Sequence, residues 1–97
     1  MVMTTLLPQA DGVMTEANRL AYNVLLTSPS WRAANGIDGV IDFAGQTTMG
    51  NPTNLPANNG GDTTYYNTDN IHSTQFGGTL LAPIIQSALK VLFTKFG

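Results

Sequence analysis

Cysteine is absent from this sequence, so no disulfide framework exists and the redox compartment cannot be read from it. Charge is scarce as well. Asp, Glu, Lys and Arg make up 10% of the residues, where a globular domain usually carries about a quarter. Net charge is only -2, and the two Lys and two Arg are scattered. No basic patch can neutralise a row of phosphates, which excludes nucleic acid as an expected partner. One His, no Cys and widely spaced carboxylates fall short of the three or four ligands a metal site needs. No metal or cofactor is expected. The first residues lack a basic stretch leading into a long apolar core, so no signal peptide is read. The apolar stretches read as too short for a membrane span.

Polarity is carried by Thr and Asn instead. That composition suits a secreted, virion-surface or cell-surface protein, and its low net charge argues against a disordered tail. Ninety-seven residues make one domain at most, with a thin stability margin.

Val2 to Leu7 reads as a short buried strand stopped by Pro8. Asp11-Gly12 marks a turn. Thr15 is a plausible N-cap, and Glu16 suits the positive end of the helix that follows. Ala17, Leu20, Ala21, Val24 and Leu25 recur at helical spacing and predict an inward apolar stripe. Arg19 on this helix reads as a solvated or surface-paired charge. Ser28-Pro29-Ser30 ends the helix, and Trp31 reads as a partly buried packing residue. Gly39 to Ala44 reads as a second buried strand. Strand, helix and strand in this order predict a βαβ unit with parallel strands and a right-handed crossover.

Residues 45–64 form a long loop rich in Asn, Gly, Thr and Pro, without apolar period. Loops of that length are usually functional or disordered. Ser73 or Thr74 can cap a final helix with the stripe Leu81, Ile84, Ile85, Ala88, Leu89, Leu92, Phe93 and Phe96. Pro83 should kink this helix or mark a late start. Gly77 and Gly78 near its start each cost about 1 kcal/mol relative to Ala, which predicts close backbone approach to a neighbouring element.

The chemistry concentrates between Tyr65 and Gly78. His72 is the only histidine and follows Asp69 by three residues. An imidazole can take a proton from a hydroxyl near neutral pH, and a carboxylate can fix its tautomer. The plain alternative is a helix-entry histidine with local hydrogen bonds and a turn aspartate. Ligands of open parallel sheets bind beyond the carboxyl ends of the strands, where this segment should emerge. Tyr65 and Tyr66 either line a substrate cleft or pin the long loop to the body. Asp42 at its strand end reads either as a catalytic carboxylate or, the favoured reading, as a cap or hydrogen-bond partner for the loop that follows. Gly61-Asp62-Thr63 is loop punctuation.

Asp69-x-x-His72, followed by Ser/Thr and a Gly one turn into an apolar helix, resembles the last conserved block of the SGNH (GDSL-type) hydrolases. Leu6-Leu7-Pro8, then Arg19 to Tyr22-Asn23, then Val40-Ile41-Asp42-Phe43-Ala44 follow the family's order. The resemblance covers nearly the whole chain but only the family's C-terminal half. It implies an α/β fold, the C-terminal portion of a flavodoxin-like three-layer architecture with a βαβ unit, a long loop and a C-terminal helix. It also implies a serine esterase acting on small acyl or acetyl esters, an acetylated glycan among them. His72 would be the general base and Asp69 its orienting partner.

The family's nucleophile and oxyanion donors lie in Gly-Asp-Ser and Gly-x-Asn-Asp blocks, and neither block occurs here. Ser28, Ser30, Ser73 and Ser87 sit on no strand-to-helix elbow. Residues 1–97 therefore read as a partial domain, inactive alone, whose partner is the missing N-terminal half or a complementary chain. An unpaired strand edge and weak charge repulsion predict self-association. The alternative reading is a non-catalytic binding or assembly module of a phage-tail or cell-surface protein.

Overall fold

The computed structural model describes residues 1–96, and of residues 95 and 96 the backbone alone. Phe96, the last member of the expected stripe, therefore has its side chain outside the described residues. The chain is a mixed helix and strand structure. A two-stranded parallel sheet joins β1 (Val2–Thr4) to β2 (Gly39–Ile41), in register Val2 with Gly39, Met3 with Val40 and Thr4 with Ile41. Helices α1 (Glu16–Thr27) and α2 (Pro29–Ala34) form the crossover, and α3 (Gln75–Phe96) closes the chain. Parallel pairing across a helical connection is what the βαβ pattern predicted.

Both strands are shorter than their apolar runs, for a local reason. The ladder ends where the Thr5 amide donates to the Ile41 carbonyl at 3.1 Å. Leu6 then finds its partners on α1. Its amide donates to Asn23 Oδ1 at 2.7 Å, and its carbonyl accepts from Asn23 Nδ2 and Arg19, each at 3.0 Å. On the other strand, Asp42 leads into a 3₁₀ turn, Phe43–Gly45. Thr5 ties the two ends together. Its hydroxyl donates to Asp42 at 2.9 Å and accepts from the Ala44 amide at 2.9 Å.

The same contacts reverse the expected face of α1. Its inward residues are Arg19, Asn23 and Leu26, at i, i+4 and i+7. The apolar row of Leu20 and Val24 faces outward, with Val24 67% exposed. Arg19 is thus not a solvated charge. It is buried, paired with Glu16 through Nε at 2.9 Å, and holds the backbone that the short strand leaves unpaired. Buried backbone carbonyls demand such partners, and here that demand outweighs the burial of Leu20 and Val24. The caps follow the sequence. Thr15 accepts from the Asn18 amide at 3.1 Å, while Ser28 ends α1 and accepts from the Trp31 amide at the start of α2.

The core lies beyond the carboxyl ends of the strands. Met49, Leu55, Tyr66 and Leu81 are its buried members, packed by Leu7, Phe43, Tyr65 and Leu80. Two of the four come from the long loop, which folds into 3₁₀ turns at Pro52–Asn54 and Pro56–Asn58. Its asparagines supply the hydrogen bonds that a helix or strand would otherwise provide. Asn54, Asn58 and Asn59 donate side-chain amides to the carbonyls of Thr48, Pro52 and Asn54 at 2.8, 2.9 and 3.1 Å.

Helix α3 is capped by Thr74, whose hydroxyl accepts from the Gly77 amide at 3.1 Å. It runs through Pro83, so of the two outcomes expected there, a kink or a late start, the late start does not occur. Leu81 faces in, Ile84, Ala88 and Leu92 are half-buried, and Leu92 rests against Gly39 of β2. The other half of the expected stripe, Ile85, Leu89 and Phe93, is exposed. By length and composition alone, Gln75–Thr94 is long and apolar enough to cross a membrane. Its mean hydropathy is 1.5 and only 11% of the window is buried, so the expectation of no span is not confirmed.

The two glycines of α3 separate cleanly. A Cβ at Gly77 would lie 2.4 Å from the Tyr65 carbonyl and 2.8 Å from Met49 Cε, whereas one at Gly78 would meet nothing within 4 Å. Close approach therefore explains Gly77 and not Gly78. Gly77→Ala is expected to destabilise by about 1–3 kcal/mol through overpacking. Gly78→Ala should stabilise by about 0.5–1 kcal/mol through helix propensity. Paired chemical denaturation checks both; equal effects would contradict the packing of α3 on Tyr65.

Candidate functional site

An isolated antiparallel bridge between Tyr66 and Ser73 builds the site. The Asn67 amide donates to the His72 carbonyl and the Thr74 amide to the Tyr65 carbonyl, both at 2.9 Å. Side chains alternate across such a pairing. Tyr66 and Ser73 therefore share one face, while Tyr65, Asn67, His72 and Thr74 share the other. Tyr66 points inward and is fully buried, its hydroxyl donating to the Met49 carbonyl at 2.5 Å. It belongs to the core and not to a substrate cleft. Burial pushes its phenol up to about 12, with the Arg19 charge pulling the other way. Tyr65 stays on the outer face with His72 and stacks on Phe76, ring centroids 5.7 Å apart and 28° between planes. Sequence reasoning passed over Phe76, the second residue of α3.

Asp69 and His72 come together as their spacing suggested. Asp69 Oδ1 accepts from the amides of Ile71 and His72 at 2.9 and 3.0 Å, a local turn that leaves Oδ2 aimed at the ring. Oδ2 lies 2.6 Å from His72 Nδ1. The His72 contact, then the two amides, hold the Asp69 carboxyl down at about 2, so it is ionised at neutral pH. An ionised carboxylate only accepts, which assigns the shared proton to Nδ1 and, in the neutral ring, leaves Nε2 as the acceptor. His72 is 75% exposed and Asp69 44%. In that setting the pair adds little to stability. Its value is orientational: a fixed tautomer with an accessible basic nitrogen.

The pair stands on the carboxyl side of the sheet. The Asn70 carbonyl accepts from the Ala10 amide, in the segment that follows β1, at 3.0 Å. Phe43, just after β2, packs on the Tyr66 cluster beneath. Among the described residues no hydroxyl hydrogen-bonds to Nε2, and no group of three His, Cys, Asp or Glu converges as a metal site. Ser28 is a helix cap, and Ser73 lies in the bridge. Asp42 accepts from Thr5, as a structural residue at a strand end does. Asp62 bonds Thr64 at 2.9 and 2.6 Å after Gly60 and Gly61, both at positive φ, which makes Gly61-Asp62-Thr63 a turn.

Grooves of about 340, 230 and 450 Å³ run along α1, α2 and β2, and Asp69 and His72 line none of these three. The pair is thus an exposed surface constellation. No family model, curated protein or solved structure matches this chain.

Proposed function

We propose that this chain supplies the Asp-His part of an SGNH-type serine esterase, acting on small acyl or acetyl esters with a nucleophile carried by a Ser-bearing segment. One observation carries the reading. Asp69 Oδ2 meets His72 Nδ1 at 2.6 Å on a turn beyond the strand ends, and Nε2 is left open. A base in this tautomer takes the proton of an approaching serine hydroxyl as the oxygen attacks the ester carbonyl. It then returns that proton to the leaving alcohol. A water deprotonated by the same nitrogen releases the acyl group. Tyr65, on the face of the bridge that His72 shares, stacks with Phe76 into an aromatic surface. The parallel pairing of β1 and β2 supports this reading, and the outward rows on α1 and α3 give apolar surface for further elements.

The test is a chimera with the Ser-bearing half of a Gly-Asp-Ser hydrolase placed ahead of residue 1. It should hydrolyse p-nitrophenyl acetate in a manner abolished by a fluorophosphonate, which the 97-residue chain alone should not do. A chimera that melts cooperatively yet shows no phosphonate-sensitive turnover would contradict the proposal.

A further inference from the structure

Asn70 lies between the two members of the pair and has φ 59°, alone in positive φ among the described non-glycine residues. Asn tolerates this left-handed conformation better than other L-residues with a Cβ. Four hydrogen bonds meet on it. Its carbonyl accepts from the Ala10 amide at 3.0 Å, and its Oδ1 accepts from the Ala57 amide at 2.7 Å. Its amide donates to the Asn67 carbonyl at 3.0 Å, and its Nδ2 to the Thr68 carbonyl at 3.2 Å. Ala10 belongs to the segment after β1, and Ala57 to the turn Pro56–Asn58. The hydrogen bonds of Asp69, by contrast, stay inside the turn, on Ile71 and His72.

We infer that Asn70 is the positioning residue of the Asp69–His72 pair. Its left-handed backbone turns the amides of residues 71 and 72 back onto Asp69, and its side chain fastens that turn to the long loop. The inference rests on reading the pair as one half of a hydrolytic site, yet its geometry is measurable without turnover.

Two substitutions separate the parts. Asn70→Gly keeps the positive φ and loses Oδ1. Asn70→Ala loses Oδ1 and also resists the conformation. Each is compared with the unaltered chain by ¹³C carboxyl NMR of Asp69 against pH and by amide exchange at Ala57. Met49 methyl contacts to the Tyr66 ring verify that the core survives. In the unaltered chain Asp69 should titrate at about 2. In Asn70→Gly the Ala57 amide should exchange faster and the Asp69 midpoint rise toward its ordinary 3.8; in Asn70→Ala it should rise further. If Asn70→Ala does not fold, Asn70→Gly decides alone. Faster exchange at Ala57 with an unmoved Asp69 midpoint would overturn the role of Asn70 and leave the proposed function standing. A midpoint near 3.8 in the unaltered chain would remove the pair itself, and both proposals with it.

Discussion

Replacing His72 with alanine in the serine-completed chimera is expected to lower kcat for p-nitrophenyl acetate by about 10⁶-fold, as loss of the base does in an unrelated Ser-His-Asp site. Without Nε2 nothing takes the serine proton as the acyl-enzyme forms. Asp69→Asn should cost less, on the order of 10⁴-fold. The asparagine carbonyl can still accept from the amides of Ile71 and His72, so the turn survives. Its NH₂ would then face Nδ1, which must accept rather than donate, and the proton moves to Nε2. The loss is therefore one of tautomer and not of position. Steady-state kinetics with a melting control separate the two variants. Equal rates for all three proteins would leave His72 a turn residue.

The largest stability effect is expected at Glu16. Its partner Arg19 has a side chain only 3% exposed, while Glu16 is 42% exposed. Glu16→Gln leaves a buried guanidinium without its counter-ion. Breaking a fully buried pair costs about 3–5 kcal/mol; partial exposure of Glu16 reduces this to roughly 2–3 kcal/mol. The hydrogen bond from Arg19 is the main cause holding the Glu16 carboxyl below its ordinary 4.5, burial acting against it. The sign follows from linkage. A depressed folded value stabilises the native state above pH 4.5, and that contribution is lost as pH falls through the folded value. At the alkaline end Tyr66 acts in the opposite sense. Its folded value of about 12 lies above the ordinary 10, so its contribution is complete below pH 10 and disappears as pH rises toward 12. Denaturation at pH 3, 7 and 11 should show a maximum at pH 7. Glu16→Gln should make the acid limb shallower, the rest of it belonging to Asp69 and Asp62, whose carboxyls are also held below their ordinary value, and leave the alkaline limb in place. An acid limb unchanged by Glu16→Gln would show that the Arg19 pair carries no such weight.

What could be read from the residues was mainly local. Thr15 and Ser28 cap helices because a hydroxyl before a helical run has orphan amides within reach. Asp69 and His72 meet because an aspartate turn closes over three residues, whatever the rest of the chain does. Parallel strands followed from the order of the apolar segments. Failures occurred where distant groups competed. An apolar period on α1 places Leu20 and Val24 inside, but it cannot register that the Leu6 carbonyl needs Arg19 and Asn23. Met49 and Leu55 enter the core from a loop with no period at all, so no pattern marked them. Tyr65 and Tyr66 were indistinguishable as neighbours, and the Tyr66–Ser73 bridge is what sends one inward and leaves the other on the face that His72 shares.

The most direct measurement is the rate at which a fluorophosphonate labels the serine of the completed chimera, with and without His72. It needs no knowledge of the natural ester and reports on activation of the hydroxyl alone. Labelling that is fast with His72 and slower by several orders of magnitude in His72→Ala, with both proteins equally folded, is the predicted result. Labelling at the same rate in both would contradict a role for this histidine as the base.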